Sequence, residues 1–229
     1  MNPPYFTFTP LHRHFDEGFG AIGDAFKAAG DELSKSKTTD MHAHLPVAHV
    51  YRHAIELYLK SLILIVHKKC DAEGQRPQVM TKRGMRPFDT VHTVGGLWDC
   101  FKSLTQHHAP LLRATSVSFW DDLDECESWI RRVDKNDPLG TLLKYASSGK
   151  ESADRQKESF KVMSDDLVEK TRASGGFVKA LVLESADGST EAYMLDYNPI
   201  NELSEAASKC ADFLSTAHFA MRCELTNGL

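Results

Sequence analysis

Residues 47–66, VAHVYRHAIELYLKSLILIV, decide the fold. Val47, Val50, Tyr51, Ala54, Ile55, Tyr58, Leu62, Ile65 and Val66 recur at helical spacing, and the apolar stripe widens toward the end of the run. A helix that begins amphipathic and becomes apolar on most sides belongs at the centre of a bundle, packed on more than one face. Pro46 suits its first turn, where a backbone N–H has no intrahelical partner. The greasiest part, SLILIV at 61–66, is far short of the ~20 residues a membrane span needs, so no membrane partner is expected.

Upstream, Phe15, Phe19, Ile22, Phe26, Ala29 and Leu33 alternate spacings of four and three, which predicts a first helix ending in SKSKTTD. Downstream, residues 67–92 lack helical periodicity and hold two prolines and two glycines, and read as a long connection. Leu97, Trp98, Phe101 and Leu104 predict a third helix, stopped by Pro110. Phe119, Trp120, Leu123, Cys126, Trp129, Ile130 and Val133 predict a fourth, broken at Asp137-Pro138. A polar stretch at 146–159 precedes a weaker helix through Phe160, Met163 and Leu167 to about Arg172. Residues 177–184 and 190–197 flank Ala186-Asp187-Gly188-Ser189 and read as a β-hairpin. A last helix, capped by Asn201, runs through Leu203, Ala206, Cys210, Phe213, Leu214, Ala217 and Met221. The expected fold is mainly α, a helical bundle with a small β-hairpin and a C-terminal helix. It forms a single domain over 1–229, with the bundle core at about 14–146 and the remaining elements at about 151–225.

Composition narrows the function classes. The 229 residues are 41% hydrophobic and 26% charged, which excludes a disordered or fibrous chain. A net charge of −5 excludes a generally basic nucleic-acid coat, so any RNA contact must use a local patch. Five cysteines without a CxxC spacing point to free thiols, and the N-terminus has no signal-like pattern; a cytoplasmic protein is expected. No GxGxxG, P-loop, GxSxG, HExxH or EF-hand pattern occurs, and no cofactor is expected.

Three groups of side chains could carry chemistry. His42, His44, His49 and His53 fall within twelve residues, and the last two share a helix face. Four imidazoles could hold a transition ion, but without acidic or cysteine partners beyond Asp40 they read as polar helix-start residues, so no metal is expected. Between His67 and Arg86, Lys68, Lys69, Arg76, Lys82, Arg83 and Arg86 face only Asp71 and Glu73, a concentration of positive charge suited to phosphates. Arg86 also precedes His92 with five residues between. A histidine can take a proton from a ribose 2′-hydroxyl or give one to a leaving oxygen, while a guanidinium steadies the phosphate. Arg52, Glu56 and Lys60, four apart along the second helix, read as ordinary flank ion pairs, or as charges held inside a bundle or dimer groove.

The stretch His53-Ala54-Ile55-Glu56-Leu57-Tyr58-Leu59-Lys60-Ser61-Leu62 resembles the hAxELxLKxLL helix of HEPN-domain proteins. His92-Thr93-Val94-Gly95-Gly96-Leu97-Trp98 is similar to the H-x-L-x-x-L start of their following helix. Residues 119–134, followed by Leu143-Lys144-Tyr145-Ala146, resemble the helix and fRYP ending of a bacterial HEPN-like group, with Lys144 where the usual residue is Arg. The resemblance covers roughly residues 45–146. It implies a usually dimeric helical bundle. Many such proteins are metal-independent ribonucleases of toxin–antitoxin, phage-defence and CRISPR systems; others are non-catalytic partners. Catalytic members carry Arg-x(4–6)-His, paired across the dimer. Here Arg86 and His92 have that spacing, although earlier in the chain than the family places it. Arg131 and Arg132 lie in the matching late helix without a histidine in the next six residues. The resemblance thus implies a metal-independent endoribonuclease of phage defence or a toxin–antitoxin system, with Arg86 and His92 catalytic. Lys68, Lys69, Lys82, Arg83, Arg131, Arg132 and Lys144 would contact RNA. The alternative is a non-catalytic binding or dimerisation module acting with a partner protein. A homodimer is expected, with RNA and an antitoxin or defence protein as further partners, and the broad stripe of the second helix as the dimer surface.

Overall fold

The computed structural model describes residues 10–36, 40–71, 75–114, 123–145, 147–164, 166, 169–170, 173–175 and 180–228. Its helices are α1 (Phe19–Lys35), α2 (His44–Cys70), α3 (Val94–His107), α4 (Ala109–Ala114), α5 (Leu123–Asn136), α6 (Glu151–Lys157) and α7 (Asn201–Thr226). Two small antiparallel sheets join them. One pairs β1 (Gln78–Thr81) with β2 (Gly84–Pro87). The other orders β3 (Phe160–Val162), β5 (Thr190–Leu195) and β4 (Ala180–Glu184) as β3-β5-β4. The fold is mainly helical, as the periodicity predicts. No helix among the described residues is long and apolar enough to cross a membrane.

α2 is the axis of the bundle. Every residue from Ala54 to Val66 is buried, because α1, α3 and α7 pack around it. Each fully buried Leu or Ile contributes roughly 1.5–3 kcal/mol, so this one helix supplies much of the core. The wide stripe is therefore filled within the protomer and is not a free dimer surface.

The approach of α1 to α2 follows a matched heptad. Gly23-Asp24 and Gly30-Asp31 recur seven apart on α1, and Tyr51 and Tyr58 recur seven apart on α2. With the helices antiparallel, Tyr58 lies on Gly23 and Tyr51 on Gly30; a Cβ at Gly30 would meet the Tyr51 ring at 2.8 Å. Each phenol then donates to the neighbouring carboxylate, Tyr58 Oη to Asp24 Oδ1 at 2.7 Å and Tyr51 Oη to Asp31 Oδ1 at 2.8 Å. The missing side chains admit the rings, and the carboxylates satisfy the hydroxyls that burial would otherwise leave unpaired.

Several expectations are corrected. The 67–92 connection is structured: α2 continues to Cys70, and residues 78–87 form a hairpin whose Val79 is buried beside α3. Gly84, at φ 94°, supplies the left-handed residue that closes its turn after Lys82-Arg83. Pro110 does not simply end the third helix, since it sits in the first turn of α4, where proline is tolerated. The polar 146–159 stretch contains α6. The helix expected from Phe160 is instead strand β3 at its start, where Phe160 and Val162 pair with Leu195 and Tyr193 of β5. Leu167 and Arg172 lie outside the described residues, as do Phe119, Trp120 and Phe177. The β4–β5 hairpin forms around Asp187-Gly188 as expected, with β3 added as a third strand.

Candidate functional site

Arg52, Glu56 and Lys60 occupy one face of α2, and all three are buried. Glu56 sits between the two cations. Lys60 Nζ donates to Glu56 Oε1 at 2.7 Å, and Arg52 Nη1 reaches Glu56 Oε2 at 3.4 Å. Their remaining donors hold two incoming segments, 89–92 and 137–138. Arg52 Nε donates to the Asp137 carbonyl at 3.0 Å, and Nη2 donates to the carbonyls of His92 at 2.7 Å and Pro138 at 3.3 Å. Lys60 donates to the Asp89 carbonyl at 3.1 Å. Asp137, buried beside Arg52 with Oδ2 3.7 Å from Nε, balances the second positive charge. Gly140 lies over the guanidinium at φ 70°, where a Cβ would meet Nη1 at 2.7 Å. The three helix charges are thus internal anchors, not flank ion pairs.

The segment they anchor carries His92, two residues before α3. Its Nδ1 lies 2.9 Å from Glu56 Oε1. Burial pushes the Glu56 carboxyl up, but the Lys60 ammonium and His92 outweigh it and hold the group below its usual range. An ionised carboxylate only accepts hydrogen bonds, so Nδ1 is the donor. This fixes the tautomer and leaves the Nε2 lone pair on the far side of the ring. The imidazole is 62% exposed while its carboxylate is 4% exposed. The dyad therefore has a buried carboxylate that orients the ring and a solvent-facing ring nitrogen, the geometry of a general acid–base group.

The other expected residues are placed as follows. Arg86 lies on β2, exposed, opposite Val79, and its guanidinium makes no hydrogen bond or ion pair among the described residues. Lys82 and Arg83 form the tip of the same hairpin, also exposed. Lys69, Arg132 and Lys144 are exposed, the last with its ammonium 5.3 Å from the Tyr145 ring. Lys68 donates to the Phe15 carbonyl and pairs with Glu17, and Arg131 pairs with Asp99 and Glu127, so these two are committed within the protein. The histidine cluster diverges. His44 Nε2 lies 3.0 Å from the Lys157 carbonyl, and His53 packs edge-on against Phe26. Burial pushes His44, His49 and His53 down, toward neutrality. Among the described residues, no group of three His, Cys, Asp or Glu side chains is placed to hold a metal ion.

One polar centre has no counterpart in the sequence reading. Asp16, fully buried, accepts from Ser61 Oγ at 2.6 Å and from the Gly20 N–H at 2.7 Å through Oδ2, and from the Gly18 N–H at 3.0 Å through Oδ1. His218 of α7 approaches the same Oδ2 to 3.4 Å. Gly20 admits that imidazole, for a Cβ there would lie 2.0 Å from Nε2. Ser61 bonds to the aspartate and not to the histidine, so the trio lacks the hydroxyl–imidazole contact of a nucleophilic triad. It joins the entry to α1, the middle of α2 and the end of α7.

Comparison with protein-family models, curated proteins and solved structures returns no match. The functional reading rests on the site.

Proposed function

We propose that the protein is a HEPN-like, metal-independent endoribonuclease of bacterial phage defence or of a toxin–antitoxin system, acting in the cytoplasm. The observation that carries this reading is the His92–Glu56 dyad. Glu56 orients the imidazole and steadies the positive charge that the ring takes up when it accepts the ribose 2′-hydroxyl proton. The hairpin next to it in the chain offers Lys82, Arg83 and Arg86, unpaired among the described residues, as cations for the RNA backbone, and Arg86 is assigned to the scissile phosphate. RNA and an antitoxin or other defence protein are the proposed partners.

A second reading, a non-catalytic binding module, is favoured by one observation. Arg86 is not tied to the dyad by any hydrogen bond, whereas Lys82 and Arg83 stand exposed side by side at the hairpin tip. Such cations bind phosphates without chemistry, with an affinity that falls steeply with salt.

Cleavage of single-stranded RNA in EDTA, by the wild type and by His92→Ala, decides between them. The nuclease reading expects wild-type cleavage and a loss of about 10² or more in His92→Ala, the range for one acid–base group. Because the His92 ring is largely exposed, the variant keeps its melting temperature. Wild-type cleavage that survives intact in His92→Ala moves the chemistry away from this dyad.

A further inference from the structure

β4 is the edge of the three-stranded sheet, paired with β5 on one side only among the described residues. Proteins ordinarily protect such an edge with proline, lysine, a bulge or a covering element, because its free N–H and C=O groups template further pairing. Ala180–Glu184 has none of the first three: its sequence is ALVLE, and its register against β5 is unbroken. All five residues are exposed, including Leu181 at 49%, Val182 at 59% and Leu183 at 49%. Exposed apolar side chains on both faces of an open edge are what a further strand would cover.

The register says which backbone groups are free. The Ser185 N–H donates to the Ser189 carbonyl, so that pair is hydrogen-bonded across the hairpin. Alternation along an antiparallel ladder then makes Leu183 with Glu191 and Leu181 with Tyr193 the inward-bonding pairs. Ala180, Val182 and Glu184 point their N–H and C=O groups outward.

We infer that the occupant of this edge is a second copy of the chain, added antiparallel about a twofold axis at Val182. The strand is its own complement. Leu181-Val182-Leu183 reads the same in both directions, so a twofold at Val182 sets Val182 against its copy and each Leu181 against a Leu183. Val182 is also an outward-bonding residue, so the symmetric register is the hydrogen-bonded one. It forms about six main-chain hydrogen bonds across the axis, two at Val182 and two at each Ala180–Glu184 pair. Glu184 falls opposite Ala180, which places the two carboxylates at opposite ends of the joint and avoids a like-charge contact. Every contact is reciprocal, as a twofold interface requires. The product is one sheet with three strands from each protomer. On one face, Leu181, Leu183, Tyr193 and Val162 of both copies line a continuous apolar strip.

This inference is independent of the nuclease reading, and it is tested on the full chain by sedimentation velocity between about 1 and 100 µM. The wild type is expected to dimerise in that range. Val182→Lys sets two ammonium groups against each other at the axis and is expected to weaken association by ~10²-fold or more, with the circular dichroism spectrum and melting temperature unchanged. Hydrogen exchange of the unmodified protein gives a second reading: amides of residues 180–184 gain protection as concentration rises. A wild type that stays monomeric to the top of the range overturns the inference. So does a dimer that Val182→Lys leaves intact, or one that forms without added protection at 180–184.

Discussion

Glu56→Ala is expected to lower the unfolding free energy by about 3–5 kcal/mol. Arg52 and Lys60 are buried on either side of the carboxylate, and its removal leaves two cations inside the protein with only Asp137 and carbonyl oxygens to receive them. Chemical denaturation reads the loss directly as a shift in midpoint; a change below about 1 kcal/mol contradicts the burial of this network. The charges themselves are not the most stabilising choice for these positions. Replacing Arg52, Glu56, Lys60 and Asp137 together with apolar residues of similar size is expected to cost less than Glu56→Ala alone, since desolvation offsets most of the attraction within a buried ion group and no charge is then left unpaired. That quadruple variant nevertheless loses the anchors of the 88–93 segment and the acceptor for His92 Nδ1. Stability and positioning therefore separate: the same network also sets where His92 lies.

Asp16→Asn is expected to lower stability at pH 7 by about 3 kcal/mol and to remove part of the acid sensitivity. Burial pushes the Asp16 carboxyl up, but the nearby His218 imidazole and hydrogen bonds from Ser61 and the Gly20 N–H outweigh it and hold the group well below the usual carboxylate range. A folded-state value below the unfolded one makes a contribution that is complete above the unfolded value of about 4 and is lost as pH falls below it. The wild type should lose stability from about pH 5 to pH 2, and Asp16→Asn should lose less over the same interval. The carboxamide keeps the shape but loses the charge and one of the two acceptors, leaving Ser61, Gly18 or Gly20 short of a partner. Equal slopes for the two proteins in that interval would contradict an ionised Asp16 in the folded state.

The bundle is legible because its long helices repeat apolar residues over many turns, but their ends are not: α2 runs from His44 to Cys70, beyond the expected Pro46 to Val66, and Ile200, not Asn201, holds the cap position of α7. The β1–β2 hairpin is not legible, because its four-residue strands carry mostly exposed side chains and its turn, Lys82-Arg83, lacks the usual Asn-Gly or Asp-Gly signal. β3 reads as helix in the sequence because Phe160, Met163 and Leu167 fall three and four apart, while its partner lies across the sheet in β5. His92 was legible as a candidate, since a histidine just before a helix next to a basic run is conspicuous. Its partner was not. Glu56 has the same spacing to Arg52 and Lys60 as a surface ion pair, and only the packing around α2 turns that pattern inward. Asp16 gave no local sign at all, because its partners Ser61 and His218 come from the second helix and the last.

The chemistry of the RNA ends tests the central claim most directly. If His92, held by Glu56, takes the proton from a ribose 2′-hydroxyl, that oxygen attacks the adjacent phosphorus and the 5′-oxygen leaves. RNA incubated with the wild type in EDTA should then carry 2′,3′-cyclic phosphate and 5′-hydroxyl ends. RNA left intact, or cut to 3′-hydroxyl and 5′-phosphate ends, would contradict the account.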